Sequence, residues 1–232
     1  MTSVTTTSTS RPSSSSGRAP RLPAEVDATD RARGDLNDAV ARSIDTAWAT
    51  QVHGAAVLVV DAPGWAGEAD ALVTTTPGLR LAVRAADCGT LVLAASGGHR
   101  ACVGVAHVGW KGARAGVVAA AAAEVRRLSS AEDVLGWLGP CIGPCCYAFG
   151  EGDRADVAAE LGADVRATTT SGGSALDLPR AVGLACAAAG VRLTGSDGRC
   201  TACAVDGSGQ PVFFSHRARG DVGRHGVLAC LR

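Results

Sequence analysis

The chain is short of aromatic residues, of lysine and of net charge. Aromatics make up 3% of its 232 residues, lysine occurs once (Lys111), and 22 basic residues balance 22 acidic ones. With so few large rings, burial falls to Ala, Val and Leu, which dominate an apolar fraction of 47%, enough for a sizeable core. A formal charge of zero gives no electrostatic footprint for nucleic acid or an anionic membrane. No apolar stretch reaches the ~20 residues that cross a bilayer; Val117 to Ala123 is short and bracketed by charge. The lysine deficit accompanies an excess of Arg, Ala and Gly, the bias of a GC-rich genome.

Nine cysteines are an odd number and too sparse for a small disulfide scaffold, so reduced thiols and a cytoplasmic protein are expected. Residues 1–22 are Ser/Thr-rich, lack acids and hold almost no large apolar side chains. Such a segment cannot offset its ordering entropy and is expected to be a disordered tail. Its Arg/Ser content also resembles a transit peptide, but an apolar helix face is missing. The remainder, 23–232, reads as one domain.

Within it, residues 24–48 carry Ala39, Val40, Ile44 and Trp48 at helical spacing and read as a helical lead-in. Short apolar runs then predict strands over 55–60, 79–85, 90–95, 101–106, 134–139, 164–168, 200–205 and 211–215. Helices are predicted over 113–128, 153–161 and 178–189, the last capped by Asp177, with Pro179 in its first turn and Gly190 at its end. This order gives a mixed α/β class, with mixed sheets in a sandwich and helices packed outside.

Three segments carry the chemistry: Gln51-Val52-His53-Gly54, Ala86-Asp87-Cys88, and His107-Val108-Gly109-Trp110-Lys111-Gly112. Each puts a nitrogen or sulfur ligand beside a predicted strand end. Strands lying side by side would bring His53, Cys88 and His107 to one sheet edge. Two imidazoles and a thiolate suit Zn²⁺ and leave a fourth position open. The same residues also allow a metal-free hydrolase, with Cys88 as nucleophile and His107 as base. The glycine-rich turn after His107 (Gly109, Trp110, Gly112) would aim N–H groups and the Lys111 ammonium at an anion. Asp87 is placed to carry a proton. Arg217 and Arg224 concentrate positive charge suited to phosphate. Cys200-x-x-Cys203 reads as a redox pair or half of a zinc site without a second CxxC. Cys141, Cys145 and Cys146 are crowded enough to bind metal, but read better as buried thiols in a tight Pro/Gly loop.

Taken in order, QVHG, ADC after ADALVTTTPGLRLAV, HVGWKG, LGPCIGPCCY, CT and FFSHR…GR resemble the laccase-domain proteins, also called the YfiH or polyphenol-oxidase-like family. The resemblance covers residues 50 to 232. It implies a mixed α/β sandwich with zinc on His53, Cys88 and His107. It also implies purine nucleoside phosphorylase activity toward adenosine, inosine and methylthioadenosine, with an adenosine deaminase side activity. The older laccase label rests on copper-dependent phenol oxidation, and a bacterial branch is linked to peptidoglycan editing. Five histidines in the whole chain are few for several copper ions. A non-catalytic zinc-stabilised binding protein is a further alternative. The expected partners are purine nucleosides and phosphate. Three features depart from the family: the opening FTxRxGGVS and NLG segments are reduced to an echo at Gly34-Asp35-Leu36-Asn37, the proline of ADC-x-P is Thr90, and the tyrosine of SYR is His216.

Overall fold

A computed structural model describes residues 26–31 and 36–232. The tail expected over 1–22, and Gly34-Asp35 of the altered opening, lie outside the described residues. Two sheets stack face to face. Across the first run β1 (Val26–Arg31), β13 (His225–Leu231), β6 (Arg80–Ala85), β2 (Thr46–Thr50) and β4 (Gly64–Glu68). Across the second run β12 (Val191–Ser196), β9 (Asp133–Leu138), β7 (Gly89–Ser96), β8 (Val103–Val108), β5 (Ala71–Thr74) and β3 (Val57–Val59). Both are mixed: β2 runs parallel to β4 and β6, whereas β13 is antiparallel to β1 and β6. A hairpin of β10 (Arg166–Thr168) and β11 (Ser174–Leu176) stands apart.

Alternation along the strands builds three layers. Val92, Ala94, Val103 and Val105 point to the first sheet and meet Leu81, Val83, Val227 and Ala229. Leu91, Leu93, Ala106 and Val108 point the other way, onto helices α3 (Val117–Ser129) and α5 (Leu178–Ala188). Burial on both faces explains why β7 and β8 read as continuous apolar runs. In α3 the buried residues Val117, Val118, Ala121, Ala122 and Val125 form one stripe, the pattern of a helix laid on a sheet. On the outer face of the first sheet, Leu36 and Val40 of α1 (Leu36–Ala41) cover Ala82.

Several expectations change. The lead-in read as a helix is β1, α1 and β2. Ile44 is 92% exposed, and Ala47 and Ala49 alternate inward with period two. The helix expected over 113–128 is two helices, α2 (Trp110–Ala115) and α3, because Gly116 takes φ +86° between them. Residues 200–205 and 211–215 are turns held by isolated bridges, not strands. The remaining helices are α4 (Glu151–Leu161) and α6 (His216–Arg219). In α5, Asp177 caps as expected, its Oδ1 accepting from Arg180 N at 2.9 Å, and Gly190 follows at φ +65°.

Candidate metal centre

The same alternation aims the chemistry. His107 shares parity with Val103 and Val105, and Asp70 with Leu72, so both belong to the face that opposes the first sheet. They sit at the end of the sandwich, where β8 pairs with β5 in the register Ala106↔Ala71 and with β7 in the register His107↔Thr90. His107 N donates to Asp70 O at 2.7 Å, and its Nδ1 lies 2.8 Å from Asp70 Oδ1. That contact leaves Nε2 as the donor for a metal.

Asp70 is fully buried. Its carboxylate also accepts three consecutive backbone N–H groups: Val52 at 3.2 Å, His53 at 2.9 Å and Gly54 at 2.7 Å. These bonds hold His53 at φ +61°, a left-handed conformation that costs about 1–2 kcal/mol in a non-glycine residue. The loop so formed sets the His53 ring edge-on to His107, with centroids 4.8 Å apart, and its Nε2 3.9 Å from Cys88 Sγ. Burial pushes the Cys88 thiol up, but hydrogen bonds and charge from His107 and His53 outweigh it and bring it down to about 6. Burial pushes His107 down, and its bonds to Asp70 and Cys88 raise it to about 9. The three ligand atoms of His53, Cys88 and His107 lie within 4.8 Å of one another. Two imidazole nitrogens and a readily ionised thiol, one histidine backed by a buried carboxylate, fit a transition-metal ion such as zinc.

Gly109 makes room for this set: a Cβ there would lie 2.9 Å from Cys88 Sγ and 3.2 Å from His53 Cδ2. A family model described as the multi-copper polyphenol oxidoreductase laccase matches residues 23–232. The chain belongs to this laccase family. It is 34% identical to a purine nucleoside phosphorylase of Corynebacterium glutamicum, over 86% of this chain and 80% of that protein. A purine nucleoside phosphorylase of Mycobacterium bovis is 35% identical over 79% of this chain and 71% of that one. The crystal structure of YfiH from Bacillus licheniformis superposes with a TM-score of 0.71 at 26% identity, covering 85% of this chain and 78% of that one.

The laccase-family domain opens a cavity of about 500 Å³ over His53, Cys88 and His107. Asp87, Arg217 and Arg224 also line it, as sequence suggested, together with Asn37, Gln51, Arg84, Tyr147 and His216. Asp87, at φ +108°, is engaged on both carboxylate oxygens: Oδ1 accepts from Thr201 Oγ1 at 2.8 Å and Oδ2 from Arg217 N at 2.7 Å. It therefore ties the C-terminal loop to the strand end that carries Cys88. The Arg217 guanidinium lies 4.7 Å over the Tyr147 ring and donates to Ala148 O.

Lys111, Trp110, Gly109 and Gly112 do not line the cavity. Lys111 Nζ lies 5.5 Å from the Trp110 ring and is exposed, so the ammonium expected at an anion seat points elsewhere. Gly112 serves close packing instead, since a Cβ there would lie 3.3 Å from Gly54 O.

Asp70 and Arg84 went unrecognised in the sequence. Arg84 donates to Asn37 Oδ1 at 3.0 Å and Ala49 O at 2.9 Å. Gln51 pairs its amide with the Arg84 backbone, Nε2 to O at 2.7 Å and Oε1 from N at 2.9 Å, which fixes the start of the His53 loop. The available signal for Asp70 was an acid between two apolar stretches, Ala69 and Ala71-Leu72-Val73, where burial demands a partner.

Proposed function

We propose that this protein is a zinc-dependent purine nucleoside phosphorylase acting on adenosine, inosine and methylthioadenosine, with deamination of adenosine as a side reaction. The observation that carries the reading is the set of His53, Cys88 and His107 at the base of a cavity ringed by Arg84, Arg217 and Arg224. Its likeness to two bacterial purine nucleoside phosphorylases supports it. Zinc on these three side chains would supply Lewis acidity with one position left for a ligand. Arg217 and Arg224 would hold phosphate beside the sugar. A hydrogen phosphate oxygen attacks the ribose C1′, the C1′–N9 bond breaks with its electron pair going to N9, and the proton given up by the hydrogen phosphate passes to the leaving base. The guanidinium groups would balance charge as the ribose becomes cation-like. Asp70 keeps His107 in one tautomer, and Asp87 keeps Arg217 over the cavity.

Purified protein given inosine or adenosine with phosphate should release free base and ribose 1-phosphate, measured by chromatography. Arg217→Ala should raise the KM for phosphate about tenfold or more and affect deamination less. Zinc-loaded, folded protein that turns over none of the three nucleosides would refute the reading, and turnover independent of phosphate would replace phosphorolysis by hydrolysis.

A second reading has its own observation. Cys88, His107 and Asp70 form a line of nucleophile, base and orienting carboxylate, with the thiol already brought down to about 6, as a metal-free cysteine hydrolase requires. Activity that persists after chelation and is lost on alkylation of Cys88 would favour it. Copper chemistry finds less support, since two of the five histidines share the centre, His225 is buried and His216 is at the cavity wall.

A further inference from the structure

On the far side of the C-terminal loop, two cysteine motifs that look incomplete in sequence meet. The Pro144–Cys146 turn of Gly139-Pro140-Cys141-Ile142-Gly143-Pro144-Cys145-Cys146-Tyr147 closes on the turn Cys200–Cys203, which is held by Ala204 N donating to Cys200 O at 2.9 Å. An isolated bridge between Cys141 and Cys200 joins the two loops. The sulfurs of Cys145, Cys146, Cys200 and Cys203 all lie within 4.8 Å of one another. We propose that these four cysteines form a structural zinc site, separate from the His53/Cys88/His107 centre and not dependent on the reading of that centre.

Two observations point to a cation. The first is spacing. Cys145 Sγ and Cys203 Sγ are 3.8 Å apart, and a tetrahedron with Zn–S bonds of about 2.3 Å has edges of about 3.8 Å. A disulfide would need about 2.05 Å. The second is the backbone. Gly143 N donates to Cys200 Sγ at 3.2 Å, and a Cβ on Gly143 would stand 3.3 Å from Cys145 Sγ and 3.4 Å from Cys200 Cβ. That glycine lets the loop approach closely enough to place an N–H on sulfur, an arrangement that stabilises thiolate. A soft divalent ion such as zinc suits four thiolates at this spacing, and hard cations do not compete for them. Cys203 is exposed, so the cluster is open to metal from solvent.

The site would act on the cavity by clamping its wall. Thr201, between two of the cysteines, donates to Asp87, Ala202 O accepts from Arg219 at 2.9 Å, and Tyr147 next to Cys146 carries the Arg217 guanidinium.

Untagged Cys88→Ala protein, purified under reductant, isolates this cluster because the other centre has lost its thiolate. Elemental analysis should find about one zinc per chain in it. Co²⁺ added to the stripped protein should give the intense visible bands of tetrahedral thiolate coordination. Cys203→Ser, an exposed position where folding is undemanding, should weaken those bands and release the metal to a chelator faster. Cys88→Ala protein that holds no zinc, binds Co²⁺ without thiolate bands, or yields Cys145–Cys203 or Cys146–Cys200 disulfide-linked peptides would overturn the proposal. Loss of zinc from the His53/Cys88/His107 centre alone would leave the result in Cys88→Ala unchanged, so the two readings fail separately.

Discussion

Replacing Asp70 by Asn tests the centre with the smallest change in shape. The carboxylate accepts three backbone N–H groups and faces His107 Nδ1 at 2.8 Å, with no exposure of its own. An amide keeps one acceptor oxygen. If that oxygen serves His107 and His53, the NH₂ group faces the N–H groups of Val52 and Gly54, donor against donor. Each buried unsatisfied donor costs about 1–3 kcal/mol, and Val52 is 49% exposed, so water offsets part of it. The expected loss of stability is about 2–4 kcal/mol. The zinc affinity of the His53/Cys88/His107 centre should fall about tenfold to a hundredfold, since a carboxylate behind a ligating histidine fixes its tautomer and orientation. Burial raises the Asp70 carboxyl, but His107 and the Gly54 and His53 N–H groups hold it below its usual range. Its contribution is therefore complete above an unfolded value of about 3.9 and is lost only as pH falls through the lower folded value, so measurements at pH 7 compare an ionised group with a neutral one. Urea midpoints and zinc competition against a chelator are the assays. A variant within about 0.5 kcal/mol of the parent that also keeps its zinc affinity within twofold would refute the role given to Asp70.

His225 is fully buried and, among the described residues, neither ring nitrogen has a hydrogen-bond partner; burial lowers it to about 4. The unfolded chain, with a value of about 6.5, then takes up the proton first as pH falls, so stability should drop by about 2 kcal/mol between pH 7 and 5 and level off below 4, with His225→Phe flattening that slope in urea titrations; an unchanged slope would show that other groups control it. Gly109→Ala keeps an ordinary backbone, φ −79°, but sets a methyl against Cys88 Sγ and His53. Zinc retention in that variant should fall on the order of tenfold with little change in Tm, and full retention would mean the Cys88 sulfur has other room.

What the sequence disclosed and what it hid divide along contact distance. His53, Cys88 and His107 were readable because each borders its own apolar run, although the runs did not become side-by-side strands: β5 separates β3 from β8, and β6 lies in the other sheet. Asp70 was not, because its meaning depends on the β5–β8 register, set by residues more than thirty positions away. The helical reading of 24–48 held only for Ala39 and Val40 in α1; Ile44 and Trp48 continue the 3.6 period by coincidence, while Ala47 and Ala49 obey period 2. Strand β13 went unseen, although Val227, Ala229 and Leu231 face the other sheet and Leu228 packs on the outer face. Cys200-x-x-Cys203 looked like half of a zinc site, and Cys145-Cys146 like thiols of a tight loop. Their meeting required the loops to fold across 54 or more positions of chain.

The two left-handed residues of the cavity wall, His53 and Asp87, share a construction. Each lies at a turn beside a candidate ligand, and each turn is fastened by a carboxylate that accepts backbone N–H groups: Asp70 for 52–54, and Asp87 itself for Arg217. A carboxylate spent in this way stabilises a conformation the chain would otherwise avoid, and it does so before any ligand arrives. The two fasteners act on opposite sides of the cavity. Asp70 bears on the imidazoles, whereas Asp87 with Thr201 bears on the arginine loop. On the proposed reading, metal affinity and phosphate affinity are therefore set by different buried acids, joined through the Asp87–Cys88 peptide. The four-cysteine cluster adds a third fastening behind Thr201. A site preorganised from three directions needs little rearrangement when substrate binds, which is the condition under which fixed dipoles and charges contribute most to catalysis.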